Sequence, residues 1–157
     1  MHSLSPGILL SGVLLLGLSG NFGGIALAAE CVALQPVGST EGGPGVKKSI
    51  SPAALGVTAS NWNTDFAVPG TEKFESYRVT ITTDSDGQYD VVSSLKYPND
   101  KAQNIYEQKG ISLGQGKTLE FTGKPQSKTI VPYQVNVEFG GALSIGKSYT
   151  VRAFGCK

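Results

Sequence analysis

Histidine is almost absent from this 157-residue chain: it occurs once, as His2, and cysteine occurs only at Cys31 and Cys156. Beyond position 2 no imidazole remains to activate a serine or cysteine nucleophile, or to build the His-rich sites that most zinc and copper enzymes use. With both cysteines in a disulfide no thiolate remains either, which leaves carboxylates, lysines and tyrosines as the only candidate catalytic groups. Charge is also balanced: 13 Lys and Arg face 12 Asp and Glu, and no basic run exceeds Lys47-Lys48. That argues against nucleic acid and anionic membrane as partners. A sustained 3.6-residue apolar stripe is missing as well, so helical classes are not indicated.

The first 29 residues hold no Asp, Glu, Lys or Arg. Ile8 to Leu18 forms an apolar run of signal-peptide length, and Ala26-Leu27-Ala28 places small residues where a signal peptidase requires them. Residues 1–28 are therefore expected to be a signal peptide, cleaved after Ala28 or after Ala29, and residues 29–157 one exported domain, periplasmic or extracellular. An uncleaved anchor stays open, because Gly7 to Ala29 is uncharged and the region before it lacks Lys and Arg. Membrane contact is expected only in that case. Glu30 stands where a bacterial lipoprotein needs a small residue before its cysteine, so a lipid anchor at Cys31 is not expected.

Cys31 and Cys156 lie at the two extremes of the exported part. In an oxidising compartment they are expected to pair, which brings the first and last segments together.

What the chain does have is period-two alternation. Tyr133 to Phe139 puts every apolar side chain on one face, and Tyr149 to Ala153 repeats the pattern. Ser76 to Ile81 and Tyr89 to Leu95 alternate on either side of Asp84-Ser85-Asp86-Gly87, which reads as a hairpin turn. Weaker strands are expected at Ala54–Ala59, Ile105–Gln108 and Thr118–Thr122. Val37 to Lys48 reads as a loop or loosely held strand. The expected fold is all-β: a single antiparallel sandwich of about seven to eight strands.

Two segments carry a resemblance. Leu143 to Ala153, with Leu six and Gly three residues before Tyr149, resembles the tyrosine-corner segment of fibronectin type III domains. Ser76 to Ile81, following Trp62, is similar to that family's third strand. The resemblance covers about a quarter of the chain and implies an immunoglobulin-like sandwich, with the Cys31 segment standing in for an edge strand.

Gly110 to Thr118 (GISLGQGKT) mimics a phosphate-binding loop, but that motif requires glycine where Ile111 stands. A polar segment precedes it and a strand pattern follows, so nucleotide is not expected. Asp84, Asp86 and Asp90 form a weak calcium candidate, incomplete as a ligand set. Asp65 with Glu72 and Glu75 could form a carboxylate pair for glycoside hydrolysis. Trp62, Asn63 and Asp65 place an aromatic ring beside amide and carboxylate groups, as a sugar site would; a core tryptophan is the competing reading. Tyr97 and Tyr106 flank a polar segment and are further ligand-binding candidates. Together these point to a non-catalytic domain, without cofactor, that binds a protein or glycan or serves as a subunit of an envelope assembly. The alternative is a small carboxylate-dependent hydrolase of extracellular glycan. N-terminal sequencing of the exported protein is expected to begin at Ala29 or Glu30; an intact Met1 would indicate the anchor instead.

Overall fold

A computed structural model describes residues 29–38, 43–52 and 62–157. The expected signal peptide, the strand at Ala54–Ala59 and Asn61 lie outside the described residues. The described residues form ten strands: β1 (Cys31–Ala33), β2 (Gln35–Pro36), β3 (Gly45–Ser49), β4 (Asn63–Ala67), β5 (Ser76–Thr83), β6 (Gly87–Tyr97), β7 (Lys101–Leu113), β8 (Thr118–Gly123), β9 (Gln134–Gly140) and β10 (Ser148–Cys156). The two short ones, β1 and β2, lead into eight of five residues or more. The alternating segments read from the sequence are the cores of β5, β6, β9 and β10.

The strands form two antiparallel sheets. The first has the order β10-β5-β8, with β1 and β3 both paired to the outer edge of β10; the second runs β2-β4-β9-β6-β7. The expected all-β sandwich is what the chain forms. Its eight longer strands follow the order 3-10-5-8 in one sheet and 4-9-6-7 in the other. That is the arrangement of a double-sheet jelly roll; an immunoglobulin sandwich instead keeps several consecutive strands within one sheet.

The turn Asp84-Ser85-Asp86-Gly87 shows why the two differ. It joins β5 to β6 as expected, yet those strands belong to opposite sheets, so it is an arch over the end of the sandwich and not a hairpin. Asp and Gly supply a tight reversal whichever plane the chain turns in, and alternation alone does not say which. The in-sheet hairpin is β6–β7. Its turn, Pro98-Asn99-Asp100, puts Asn99 at φ 65 and Asp100 at φ 55, a left-handed conformation that Asn and Asp tolerate better than other side chains.

The phosphate-loop mimic is likewise a crossing. Gly110 to Leu113 ends β7, and Gly114 to Lys117 turns the chain into β8, with Gly116 at φ 71. The Gly116 amide donates to the Thr83 carbonyl at 2.7 Å, tying this turn to the neighbouring arch.

Between the sheets lies one apolar core. Tyr77, Val79 and Ile81 of β5, Val151 and Ala153 of β10, Phe66 of β4, Val91 and Leu95 of β6, and Val135 and Phe139 of β9 are all fully buried. Each large one stabilises the fold by about 1.5–3 kcal/mol. Tyr89 stacks on Phe139 with centroids 4.8 Å apart, and Phe139 meets Tyr149 at 4.7 Å, so an aromatic row joins the two sheets. Tyr89 also donates its hydroxyl to the Ser85 carbonyl, four residues upstream, at 2.7 Å. A bond from a tyrosine hydroxyl back to the upstream backbone is thus made by Tyr89, while the Tyr149 hydroxyl is buried in the core. Cys31 and Cys156 are directly opposite on β1 and β10 and form the disulfide, so the Cys31 segment does supply an edge strand.

Burial pushes the Tyr77 and Tyr149 hydroxyls up from 10.0 to about 12. A raised pKa stabilises the fold below the unfolded value and loses that contribution as pH rises through the folded one. Thermal stability is therefore expected to fall between pH 10.0 and about 12. Because the Tyr77 hydroxyl has no hydrogen-bond partner among the described residues, Tyr77→Phe should match the wild type near neutrality and flatten part of that alkaline fall. An unchanged fall would refute this assignment.

Candidate functional site

The outward side chains of the second sheet make a polar surface ordered by hydrogen bonds. Its alternation exposes Asn63, Asp65 and Ala67 on β4, Gln134, Asn136 and Glu138 on β9, Val92, Ser94 and Lys96 on β6, and Ala102, Asn104 and Glu107 on β7. Register aligns them into rows. Asp65 opposes Asn136, Asn136 opposes Ser94, and Ser94 opposes Asn104. Strands about 4.8 Å apart make this row about 14 Å long. Beside it runs a second row of Asn63, Glu138, Val92 and Glu107.

Hydrogen bonds fix the first row. Asn136 Nδ2 donates to Asp65 Oδ1 at 2.7 Å, and Lys96 Nζ donates to the same oxygen at 3.3 Å. Ser94 Oγ donates to Asn104 Oδ1 at 2.8 Å, and Asn104 Nδ2 reaches Glu107 at 3.4 Å. Partial desolvation pushes the Asp65 carboxyl up, but hydrogen bonds from Asn136, Gln134 and Lys96, with the Lys96 charge, outweigh it and hold the pKa below its ordinary value. Asp65 thus stays an ionised acceptor. The Lys96–Asp65 pair is about one-third exposed on both sides, so it orients the groups more than it stabilises the fold. Lys48 approaches from β3 across the sandwich edge and donates to the Asn63 carbonyl at 2.6 Å. Its desolvation lowers the ammonium pKa, an effect that the Asp65 charge opposes.

Of the residues singled out in the sequence, Asn63 and Asp65 lie on this face. Trp62 turns inward: its indole N–H donates to the Ser51 carbonyl at 2.9 Å, and its ring covers Gly140 so closely that a Cβ there would meet it at 2.6 Å. Tyr97 is also inward, 8% exposed, and its hydroxyl donates to Gln103 Oε1 at 2.8 Å. It borders a cavity of about 360 Å³ at the end of the sandwich, beside Pro98, Gln103, Gln126 and Ile130. Tyr106 closes the open edge between the sheets, stacked on Phe121 of β8 with centroids 4.0 Å apart. The five are therefore not gathered into one site.

Nor are the acidic candidates. Asp84 pairs with Lys47 at 2.9 Å, Asp86 accepts from the Gln115 amide, and Asp90 accepts from the Gly110 amide at 2.8 Å. Each carboxylate has its own partner, and among the described residues no group of three or more His, Cys, Asp or Glu is placed to hold a metal. Glu72 pairs with Lys157 at 2.8 Å, whereas Asp65 is engaged by Asn136 and Lys96, so the two carboxylates have separate partners. The sequence reading missed Ser94, Lys96, Asn104, Gln134, Asn136 and Glu138. The signal was present in Gln134, Asn136 and Glu138, the polar half of the clearest alternating strand, which reads equally well as an ordinary solvated face.

No protein-family model matches the sequence, and no curated protein does. Among solved structures the fold is similar to a low-affinity xylan-binding module, CBM86, of Roseburia intestinalis: TM-score 0.50, 12% identity, covering 83% of this chain and 96% of that one. A variant of the carbohydrate-binding module CBM29-2 matches with TM-score 0.42 at 10% identity, covering 82% of this chain and 81% of the other. The CBM22-1 xylan-binding domain from Paenibacillus barcinonensis gives TM-score 0.39 at 8% identity, covering 83% of each.

Asn136→Ala should raise the Asp65 pKa toward the ordinary value near ~3.9, followed by carboxyl NMR titration. Since the folded pKa is depressed, Asp65 contributes stability above the ordinary carboxylate range and loses it as pH falls through the depressed value. The variant should therefore lose less stability on acidification. An unmoved Asp65 titration would contradict the hydrogen-bond account.

Proposed function

We propose that this protein is an exported, non-catalytic glycan-binding domain, and that the outer face of β4, β9, β6 and β7 is where a polysaccharide lies. The observation that carries the reading is the row Asp65–Asn136–Ser94–Asn104. It combines an ionised acceptor, two amides and a hydroxyl, ordered by mutual hydrogen bonds and spread over four strands. Such groups both donate to and accept from sugar hydroxyls, and their prior ordering lowers the cost of binding. The xylan-binding module of Roseburia intestinalis, which has the same fold, supports a neutral β-linked polysaccharide as the ligand class.

The outward alternation of these four strands presents no aromatic ring to this face, so a sugar lying there gains little stacking energy. Binding is accordingly weak and hydrogen-bond driven. Export, with residues 1–28 removed, fits the Cys31–Cys156 disulfide, since such bonds persist in oxidising compartments. The engagement of Glu72 by Lys157 and of Asp65 by Asn136 and Lys96 favours a binding role over the hydrolase alternative.

The test is affinity electrophoresis in gels containing soluble xylan, β-glucan or mannan. Wild type should be retarded by at least one of them, xylan first. Asn136→Ala and Ser94→Ala should each weaken that retardation by about 5–20-fold, the loss of about 1–2 kcal/mol expected for a hydrogen bond. Retardation by none of the polymers, or retardation indifferent to both substitutions, would sink the reading.

A further inference from the structure

The opposite face of the molecule, the outside of the first sheet, carries a different chemistry. The chain has only two arginines, Arg78 and Arg152, and both emerge there, on the adjacent strands β5 and β10. Register pairs Arg78 with Phe154 and Arg152 with Thr80, so the two arginines are diagonal neighbours, with backbones roughly 7–8 Å apart. The Arg78 guanidinium lies over the Phe154 ring, 4.9 Å from its centroid. Arg152 leans the same way, across Gly45 of β3, where an added Cβ would meet its Nε at 2.9 Å. The result is two guanidinium groups stepping across the sheet.

Neither arginine forms an ion pair among the described residues, and the Arg78 Nε is buried without a hydrogen-bond partner. Lys47, on the same face, is already neutralised by Asp84. Glu120, opposite Thr80, is the carboxylate that this alternation places among them, and it makes no ion pair with either arginine. Around the arginines the outward side chains of β5, β8 and β10 include five threonines, Thr80, Thr82, Thr118, Thr122 and Thr150. A guanidinium without an ion pair, held over an aromatic ring, can offer its fork to the planar two-oxygen geometry of a carboxylate.

We propose that this face is a second binding surface, specific for a carboxylate-bearing polysaccharide, with Arg78 and Arg152 as its anion contacts and the threonines as hydroxyl partners. Charge complementarity selects the occupant. Two cations a fixed step apart on a shallow sheet, among alcohol groups, match charges recurring along an extended acidic glycan. Phe154 acts as a platform for Arg78 and does not itself stack on sugar. The surface is independent of the polar row on the second sheet, which takes neutral polymer.

Affinity electrophoresis with polygalacturonate, its carboxyl-reduced neutral form and polyglutamate tests the proposal. Wild type should be retarded by polygalacturonate in a salt-sensitive manner, and more strongly than by the reduced polymer, whose retardation should not depend on salt or on Arg78 and Arg152. Arg78→Ala/Arg152→Ala should bind polygalacturonate at least about tenfold more weakly, while Asn136→Ala binds it as wild type does. Arg78→Lys/Arg152→Lys, which keeps both charges and removes the fork, should fall between the two and covers the case in which the alanine variant does not fold. Absence of retardation by polygalacturonate, full retention in both double variants, or equal retardation by polyglutamate would overturn the proposal. A negative result with neutral xylan bears only on the second sheet.

Discussion

The chain crosses from one sheet to the other at every connection between strands except the β6–β7 hairpin. Each crossing forces the next strand to present its apolar half back toward the one it has just left. The strict in-and-out alternation of β5, β6, β9 and β10 is therefore a requirement of the path, and a slip of one residue in any of them would turn tyrosines and valines out to water. β10 holds the arrangement together. It pairs with β1, β3 and β5, carries Tyr149 and Val151 into the core, and ends at the cysteine that fastens the start of the domain.

This constraint explains what could be read from the sequence and what could not. The inward half of each strand is chemically distinctive, so Tyr133 to Phe139 and Tyr149 to Ala153 identified themselves. Which sheet receives a strand depends on contacts made far away in the chain. Asp84-Ser85-Asp86-Gly87 has the residues of a hairpin and is an arch, whereas Asn99-Asp100, a real hairpin turn, lies within a polar stretch that reads as a loop. β7 is the extreme case. Its 13 residues include two register irregularities against β6 and little alternation. Those irregularities, with exposed Lys101 and Lys109, discourage another chain from pairing with this long edge.

Candidate sites were harder to see, for a related reason. Sequence reasoning favours rare residues, and its candidates included tyrosines and the single tryptophan, for which a place in the core was the other reading. Burial claims them: Trp62 lies against Gly140, Tyr97 is tied to Gln103, and Tyr106 seals the sandwich edge on Phe121. The surfaces proposed for recognition are built from common residues that only register brings together. Asp65 and Asn136 are 71 positions apart, yet they share a hydrogen bond. Arg78 and Phe154 are joined by the β5–β10 pairing alone. The two faces divide the chemistry, with amides and a guarded carboxylate on one and unpaired guanidinium groups among threonines on the other.

The measurement that bears most directly on the central claim is amide and side-chain NMR of the protein titrated with xylo-oligosaccharide. The account predicts that shift changes concentrate at Asp65, Ser94, Asn104 and Asn136, with Arg78, Arg152 and the Tyr97 end of the sandwich unaffected. Changes confined to the cavity beside Tyr97, or to the first sheet, would contradict it.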